Sequence, residues 1–323
     1  MLALIAKRIA YSLPVLLFAT VVIFFGVSAV GDPLGELRMD PDYSEEALQR
    51  IIDRKHLDEP LYVQYGFWLN DAVTNQFGTD LLRDREIWPD LRRALFRTIQ
   101  LVVLAELFAI LVAIVVGVLS GRFQYSAFDY LATVASFIGY SIPIFWFALI
   151  LQVLAVNFFQ ATGVRLVYIS GFSSVDPGTG WSFLVDRMQH LALPILALSV
   201  TSIAAYSRYL RASMLEVINS DYVRTARAKG LDERGVTFTH ALRNATLPLA
   251  TVIGVNLGVV FGGTVIIETI FSIPGMGTYF FNALIERDVY PLMAWLTVTA
   301  LLIILFNLLT DILYGWLDPR TRG

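Results

Sequence analysis

The sequence predicts an all-α integral membrane protein with six transmembrane helices and both termini on the inner side. Three observations lead there. Of 323 residues, 56% are hydrophobic and 16% charged, with a mean hydropathy of +0.64, outside the range of soluble domains. Six apolar stretches match the about 20 residues a helix needs to cross a bilayer core: Ile9–Val30, Ile99–Leu119, Tyr130–Val156, Leu191–Leu210, Leu247–Ile270 and Leu292–Leu313. With both ends inside, the inner segments hold Lys7, Arg8, Arg122, Arg208, Arg211, Arg224, Arg227, Lys229, Arg234, Arg243, Arg320 and Arg322, while the short outer loops hold only Arg165, Arg187 and Arg287. The expected organisation is a tail and first helix over 1–30, an extracytoplasmic loop over 31–98, and a five-helix core over 99–323 with a cytoplasmic loop at 208–248.

The first span begins like a secretory signal, with Lys7-Arg8 ahead of an apolar run and Val27-Ser28-Ala29 as a cleavage-like site. Its length exceeds the about 7–15 apolar residues of a signal core, so an uncleaved transmembrane helix is expected. In the long loop, Ser44–Lys55 reads as a short capped helix and Leu61–Val73 is aromatic-rich. The loop is expected to fold as a small cap on the outer face that either touches an external partner or shields the outer mouth. The third span contains Pro143. Pro194 and Pro248 fall near the expected starts of the fourth and fifth spans, where a missing backbone donor costs little.

Catalytic signatures are missing. There is no GxxxxGK[ST] phosphate loop, so no ATP hydrolysis by this chain is expected. There is no HExxH or GxSxG pattern, and His56, His190 and His240 lie in separate segments without ligand spacing. The chain has no cysteine, which removes thiolate metal sites, thiol nucleophiles and disulfides. The expectation is a chain that is not an enzyme, with no catalytic residues, no metal site and no bound cofactor.

Charges inside spans are costly in lipid and often functional. Glu106 lies within the second span and either borders a translocation path or bonds a neighbouring helix. Glu268 closes the fifth span beside Pro274, Gly275 and Gly277, as part of an outer gate or a packed turn. Asp311 is near the inner end of the last span. Gly254, Gly258 and Gly262 form a small-residue stripe that lets another helix approach, from this chain or a second subunit; Gly117 and Gly121 repeat the spacing.

The most informative segment is the polar, basic insert Arg208–Pro248. Ser220 or Asp221 caps a helix start, and Asp221 suits its positive end. Tyr222, Val223 and Ala226 share one face, with Arg224, Arg227 and Lys229 elsewhere and Gly230 as a left-handed stop. Asp232 caps a second helix running through His240 and Arg243 to Pro248. On these residues alone, an amphipathic helix resting on anionic lipid is an open alternative to a protein-docking element.

The insert resembles the "EAA" loop of permease subunits of ATP-binding cassette importers, roughly E-A-A-x3-G, a spacer and an L-P pair. Arg224, Thr225 and Ala226 occupy the first three places, Gly230 the glycine, and Leu247-Pro248 the end. Arg224 stands where that loop has Glu, and the spacer is longer. Both departures resemble the oligopeptide/dipeptide/nickel branch, whose loops are similar to DYVRTARAKG…HALRNA.LP, including Arg243 and Asn244. Ala6–Pro33, Gln76–Thr79, Ile267–Pro291 and Asp311–Arg322 resemble further blocks of that branch and cover both ends of the chain. The N-terminal pattern and long outer loop resemble the first, B-type permease subunit.

The resemblance implies a type I importer architecture in a bacterial or archaeal plasma membrane. It implies a second homologous permease subunit, two cytoplasmic ATPases that use ATP and Mg, an extracytoplasmic solute-binding protein and membrane lipid as partners, with no nucleic acid. Asp221, Tyr222, Arg224, Thr225, Ala226, Arg227, Lys229 and Gly230 would form the coupling helix that meets an ATPase. The implied substrate is a peptide; nickel, glutathione or another small solute stays open, as does, more remotely, a secondary carrier or channel.

Overall fold

The computed structural model describes residues 2–29, 31–35, 37–39 and 43–317. Among them the extended secondary structure is helical, with one antiparallel bridge between Thr79 and Glu86. The helices are α1 (Leu2–Ser28), α2 (Glu45–Lys55), α3 (Leu61–Thr74), α4 (Ile87–Arg122), α5 (Ala127–Ser141), α6 (Ile144–Thr162), α7 (Trp181–Ile218), α8 (Asp221–Ala228), α9 (Glu233–Gly235), α10 (Leu242–Ile270), α11 (Met276–Ile285) and α12 (Val289–Leu317). Val236–Ala241, between α9 and α10, is a π-helical turn.

Among the described residues five segments are long and apolar enough to cross a membrane: Ala10–Ser28, Ile87–Arg122, Ile144–Thr162, Trp181–Ile218 and Val289–Thr310. The expected fifth span lies in α10, 29 residues long, part of whose side chains fall outside the description. The third span is not one helix. It breaks between Ser141 and Ile144, where Ile142 is extended (φ −73°, ψ 127°). Proline disfavours helical geometry in the residue before it, so Pro143 ends α5 and opens α6. Pro194 and Pro248 do not open their helices as expected: both lie inside them, α7 starting at Trp181 and α10 at Leu242. Packed neighbours tolerate such interruptions. Hydropathy marks only the apolar middle of a helix. At 38 residues α7 is about 57 Å long, well beyond an apolar core about 30 Å thick.

The chain forms two compact units. The first comprises Leu2–Arg97 and Gly275–Leu308. Here α2 begins as expected, with Ser44 Oγ accepting from the Ala47 amide at 3.2 Å, and ends at His56 in left-handed geometry. Leu34, Leu37, Ile51 and Leu81 form one core; Phe24, Trp68 and Met293 form another. Thr20 and Tyr65 hydroxyls meet at 3.0 Å beside it. Residues 79–86 fold back through the Thr79–Glu86 bridge and are held from both sides. Lys55 Nζ donates to the Thr79 carbonyl at 2.6 Å and lies 4.3 Å over the Tyr290 ring. Asp288, 2% exposed, accepts from the amides of Leu81 (2.7 Å), Leu82 (3.4 Å) and Tyr290 (3.1 Å).

The second unit comprises Thr98–Pro274 and the end of α12 from Leu309. Its centre is a column of α4, α7 and α10. At one end Thr98 Oγ1 bonds Glu268, and Leu101, Leu191, Ile267 and Phe271 form the core. At the other, a Cβ on Gly117 would stand 2.8 Å from Leu210 Cβ, and one on Gly121 2.7 Å from Met214 Cβ. The glycines therefore seat α4 against α7. Residue numbers rise together along α4 and α7 and fall along α10, so the first two run parallel and the third antiparallel. A Cβ on Gly254 would collide with Thr310, so this part of the small-residue stripe packs within the chain. The surroundings of Gly258, Gly262 and Asp311, and all residues after 317, lie outside what is described.

Burial pushes the Asp288 carboxyl up to about 6, outweighing the three amides that favour its ionised form. Such a group takes up a proton on folding. Its contribution is complete below about pH 4 and is lost as pH rises through about 6. Cleavage within residues 79–86, by a protease active across that range, is therefore expected to quicken between pH 4 and 7. Asp288→Asn should flatten this dependence beyond the protease's own pH response; an unchanged profile would contradict the assignment.

Candidate functional site

The insert folds as α8, a left-handed turn and α9. Ser220 takes the cap position with extended backbone, but its hydroxyl donates back to the Val217 carbonyl at 2.6 Å and caps nothing. Asp221 stands in the first turn, 3.6 Å from Arg224. Thr225 Oγ1 donates to the Asp221 carbonyl at 2.8 Å. The helix ends at Ala228 with Lys229 as its cap, and Gly230 follows at φ +82°. Across that turn Arg227 binds both oxygens of Glu233, at 2.9 and 3.5 Å. The pair is half exposed and contributes at most about 1 kcal/mol, setting the turn's shape more than its stability.

Val223 and Ala226 are buried in a core with Ala109 and Ala113 of α4, Tyr206, Leu210 and Met214 of α7, and Ala241, Ala245 and Leu249. Tyr222 does not join them: it is 44% exposed. It sits about 40° from Ala226 on a helical wheel, at the edge of the buried stripe, and its long ring reaches past that edge. Asp221, Tyr222, Arg224, Thr225, Arg227, Lys229 and Gly230 all face outward. Two small apolar residues thus pin α8 to three membrane helices and leave a polar, mainly basic face uncovered by the described residues. The second expected helix is a short α9, the π-helical turn and then α10 without a break, so Arg243, Asn244 and Pro248 lie on α10, all three exposed. The side chains of Leu247 and His240 lie outside the description.

Glu106 is 5% exposed and lies where α4, α7 and α10 meet. Ser202 Oγ donates to its Oε1 at 3.0 Å and Tyr206 Oη to its Oε2 at 2.9 Å. Asn256 Nδ2 reaches Ser202 Oγ at 3.2 Å and Tyr206 Oη at 2.9 Å. A carboxylate mid-membrane costs about 3 kcal/mol on insertion scales. Two charge-assisted hydrogen bonds of about 1.5–3 kcal/mol each offset that. Of the two roles open to Glu106, the structure displays the interhelical bond. Glu268 is fully buried, and its backbone carbonyl accepts from the Ile273 amide at 2.8 Å, closing the turn that leads to Pro274 and Gly275. Gly275 precedes α11, and Gly277 is buried within it.

Sequence reasoning missed Ser202, Tyr206 and Asn256. It also missed the Arg211–Asp129 pair, which joins α7 to the start of α5 by bonds of 2.6 and 2.8 Å. The available signal was two hydroxyls one helical turn apart in an apolar span, at 202 and 206.

Residues 113–323 match the family described as binding-protein-dependent transport system inner membrane component. The chain is 40% identical over 325 residues to the oligopeptide transport system permease protein AppB of Bacillus subtilis (99% of each chain). It is 35% identical to the dipeptide transport system permease protein DppB of Escherichia coli, over 100% of this chain and 99% of that one. The chain belongs to this family. Among solved structures, an inward-facing MetNI methionine ABC transporter chain matches with a TM-score of 0.52 at 17% identity, covering 71% of this chain and 96% of that one, a likeness of fold. The chain is thus a membrane transport component with the importer-permease fold expected from its sequence.

Burial of Ala226 makes a test of α8 docking. The chain has no native cysteine, so Val223→Cys introduces a single buried thiol. It should resist a membrane-impermeant maleimide presented to both faces of the membrane. Adding Ala226→Asp, which buries an unpaired charge at a cost of about 3 kcal/mol, should expose it. Equal labelling with and without that charge would contradict the packing.

Proposed function

We propose that the chain is one of two membrane-spanning subunits of an ATP-driven peptide importer, with α8 as the element that receives motion from an ATPase. The observation that carries this reading is α8 itself: Val223 and Ala226 fix it to α4, α7 and α10, while Tyr222, Arg224, Thr225 and Lys229 face outward. A floppy loop would absorb displacement; a helix pinned at two points passes it to the membrane helices. Peptide as the substrate is supported by relatives of full length named for oligopeptide and dipeptide transport.

In this reading both termini and α8 lie in the cytoplasm of a cell whose plasma membrane holds the complex. Lys and Arg density in the inner segments supports that orientation. A second homologous permease completes the pathway. Two ATPases bind ATP and Mg and close on each other, and an external solute-binding protein delivers the peptide. Closure displaces α8, and the membrane helices shift between outward- and inward-open arrangements. Two sites are then coupled through two global states.

Gly230 offers a test free of steric ambiguity. At φ +82° it has open space where a Cβ would go, so substitution acts through backbone strain. In the assembled importer, Gly230→Val should bring uptake of labelled dipeptide to background and abolish substrate-stimulated ATP hydrolysis, with membrane abundance unchanged. Normal uptake would refute the coupling role. Competition by unlabelled peptides, but not by nickel or glutathione, is the expected pattern for the substrate; the reverse would move the chain to another solute.

A further inference from the structure

We propose that the Glu106–Ser202–Tyr206–Asn256 cluster is a clamp that makes α4, α7 and α10 move as one body with α8, so that these four are positioning residues of the transport cycle. Three helices meet at one carboxylate. Each oxygen accepts from one hydroxyl of α7, and the Asn256 amide of α10 bonds both hydroxyls. Removing Glu106, Ser202 or Tyr206 leaves another buried polar group short of a partner, and removing Asn256 withdraws a donor from both hydroxyls, so the four contacts reinforce one another. The same three helices supply the core that seats Val223 and Ala226. On α7, the clamp residue Tyr206 lies one turn from Leu210, which packs against Gly117, and two turns from Met214, which packs against Gly121. The seam from α8 to the clamp is therefore continuous.

Simple adhesion does not account for the chemistry. In lipid an interhelical hydrogen bond adds only modestly to adhesion, whereas its limits of distance and angle fix register. Oily side chains let helices slide past one another by small steps. A carboxylate with a named donor on each oxygen does not, because a shift of about 1 Å breaks both bonds at once. Motion entering at α8 then cannot dissipate as slippage between α4, α7 and α10.

The test uses the cysteine-free chain in its full complex, in nanodiscs, with spin labels at Leu231→Cys beside α8 and Thr269→Cys at the far end of α10; both positions are exposed. Without nucleotide the label-to-label distance should be single and narrow, and it should stay so when ATP and vanadate trap the complex. In Glu106→Leu, and independently in Tyr206→Phe, the distribution should broaden or split. Peptide carried per ATP hydrolysed should fall about tenfold, with complex assembly unchanged. Glu106→Gln, which keeps one acceptor, should lie between. Two outcomes overturn the clamp: a wild-type distance that changes with nucleotide, or an apolar variant that keeps both the narrow distance and normal coupling. If Glu106→Leu fails to assemble, Tyr206→Phe decides alone. The nucleotide arm rests on the proposed ATPase coupling. The nucleotide-free arm does not, so broadening there with no ATP response in any variant would uphold the clamp and reject the coupling.

Discussion

A carboxylate inside an apolar slab needs hydrogen-bond donors, and the organisation of the Thr98–Pro274 unit follows from where Glu106 finds them. Ser202 and Tyr206 are one turn apart, so they can present two hydroxyls to the two carboxylate oxygens only if α7 lies directly against α4. Asn256 adds α10 to the same point. With register set there, glycines at 117 and 121 fall opposite Leu210 and Met214, and the helices close to near backbone contact. The core that receives Val223 and Ala226 exists because those helices are held together one or two turns away.

The other unit solves a related problem with backbone donors. Asp288 gathers amides from Leu81, Leu82 and Tyr290, and Lys55 bonds the Thr79 carbonyl. Segments far apart in the chain, 207 residues in the case of Leu81 and Asp288, are thereby joined. Two blocks noticed separately in the sequence, residues 76–79 and 267–291, have adjoining roles here: one leads into the folded-back loop, the other supplies the carboxylate that holds it.

What the sequence disclosed depended on the range of the interaction. Hydropathy over about 20 residues located the spans, since desolvation is a property of local composition. The left-handed stop at Gly230 and the Ser44 cap were visible because they are formed by neighbours. Helix limits were not, because α4 and α7 continue past their apolar middles on amphipathic flanks. Pro143 lies inside one apolar run with nothing local to mark a break, and Pro194 and Pro248, both within helices, show that proline alone does not decide. Spacing puts Tyr222 on one face with Val223 and Ala226, but it gives the direction of a Cβ and not the reach of a phenol. Glu106 stood out as a charge in a span, yet its donors lie 96 and 100 residues away and no local pattern names them.

The length of α7 has a mechanical corollary. From Tyr206 to the end at Ile218 is about 18 Å of helix, and from Ser202 back to Trp181 about 32 Å. Were the fastened body of α4, α7 and α10 to tilt about that level, the long arm of α7 would sweep nearly twice as far as the short one. A small push delivered beside α8 would then emerge at the opposite end at nearly double the size, in the opposite direction. Under such a tilt the level of the buried carboxylate along α7 would set a gear ratio between the two ends.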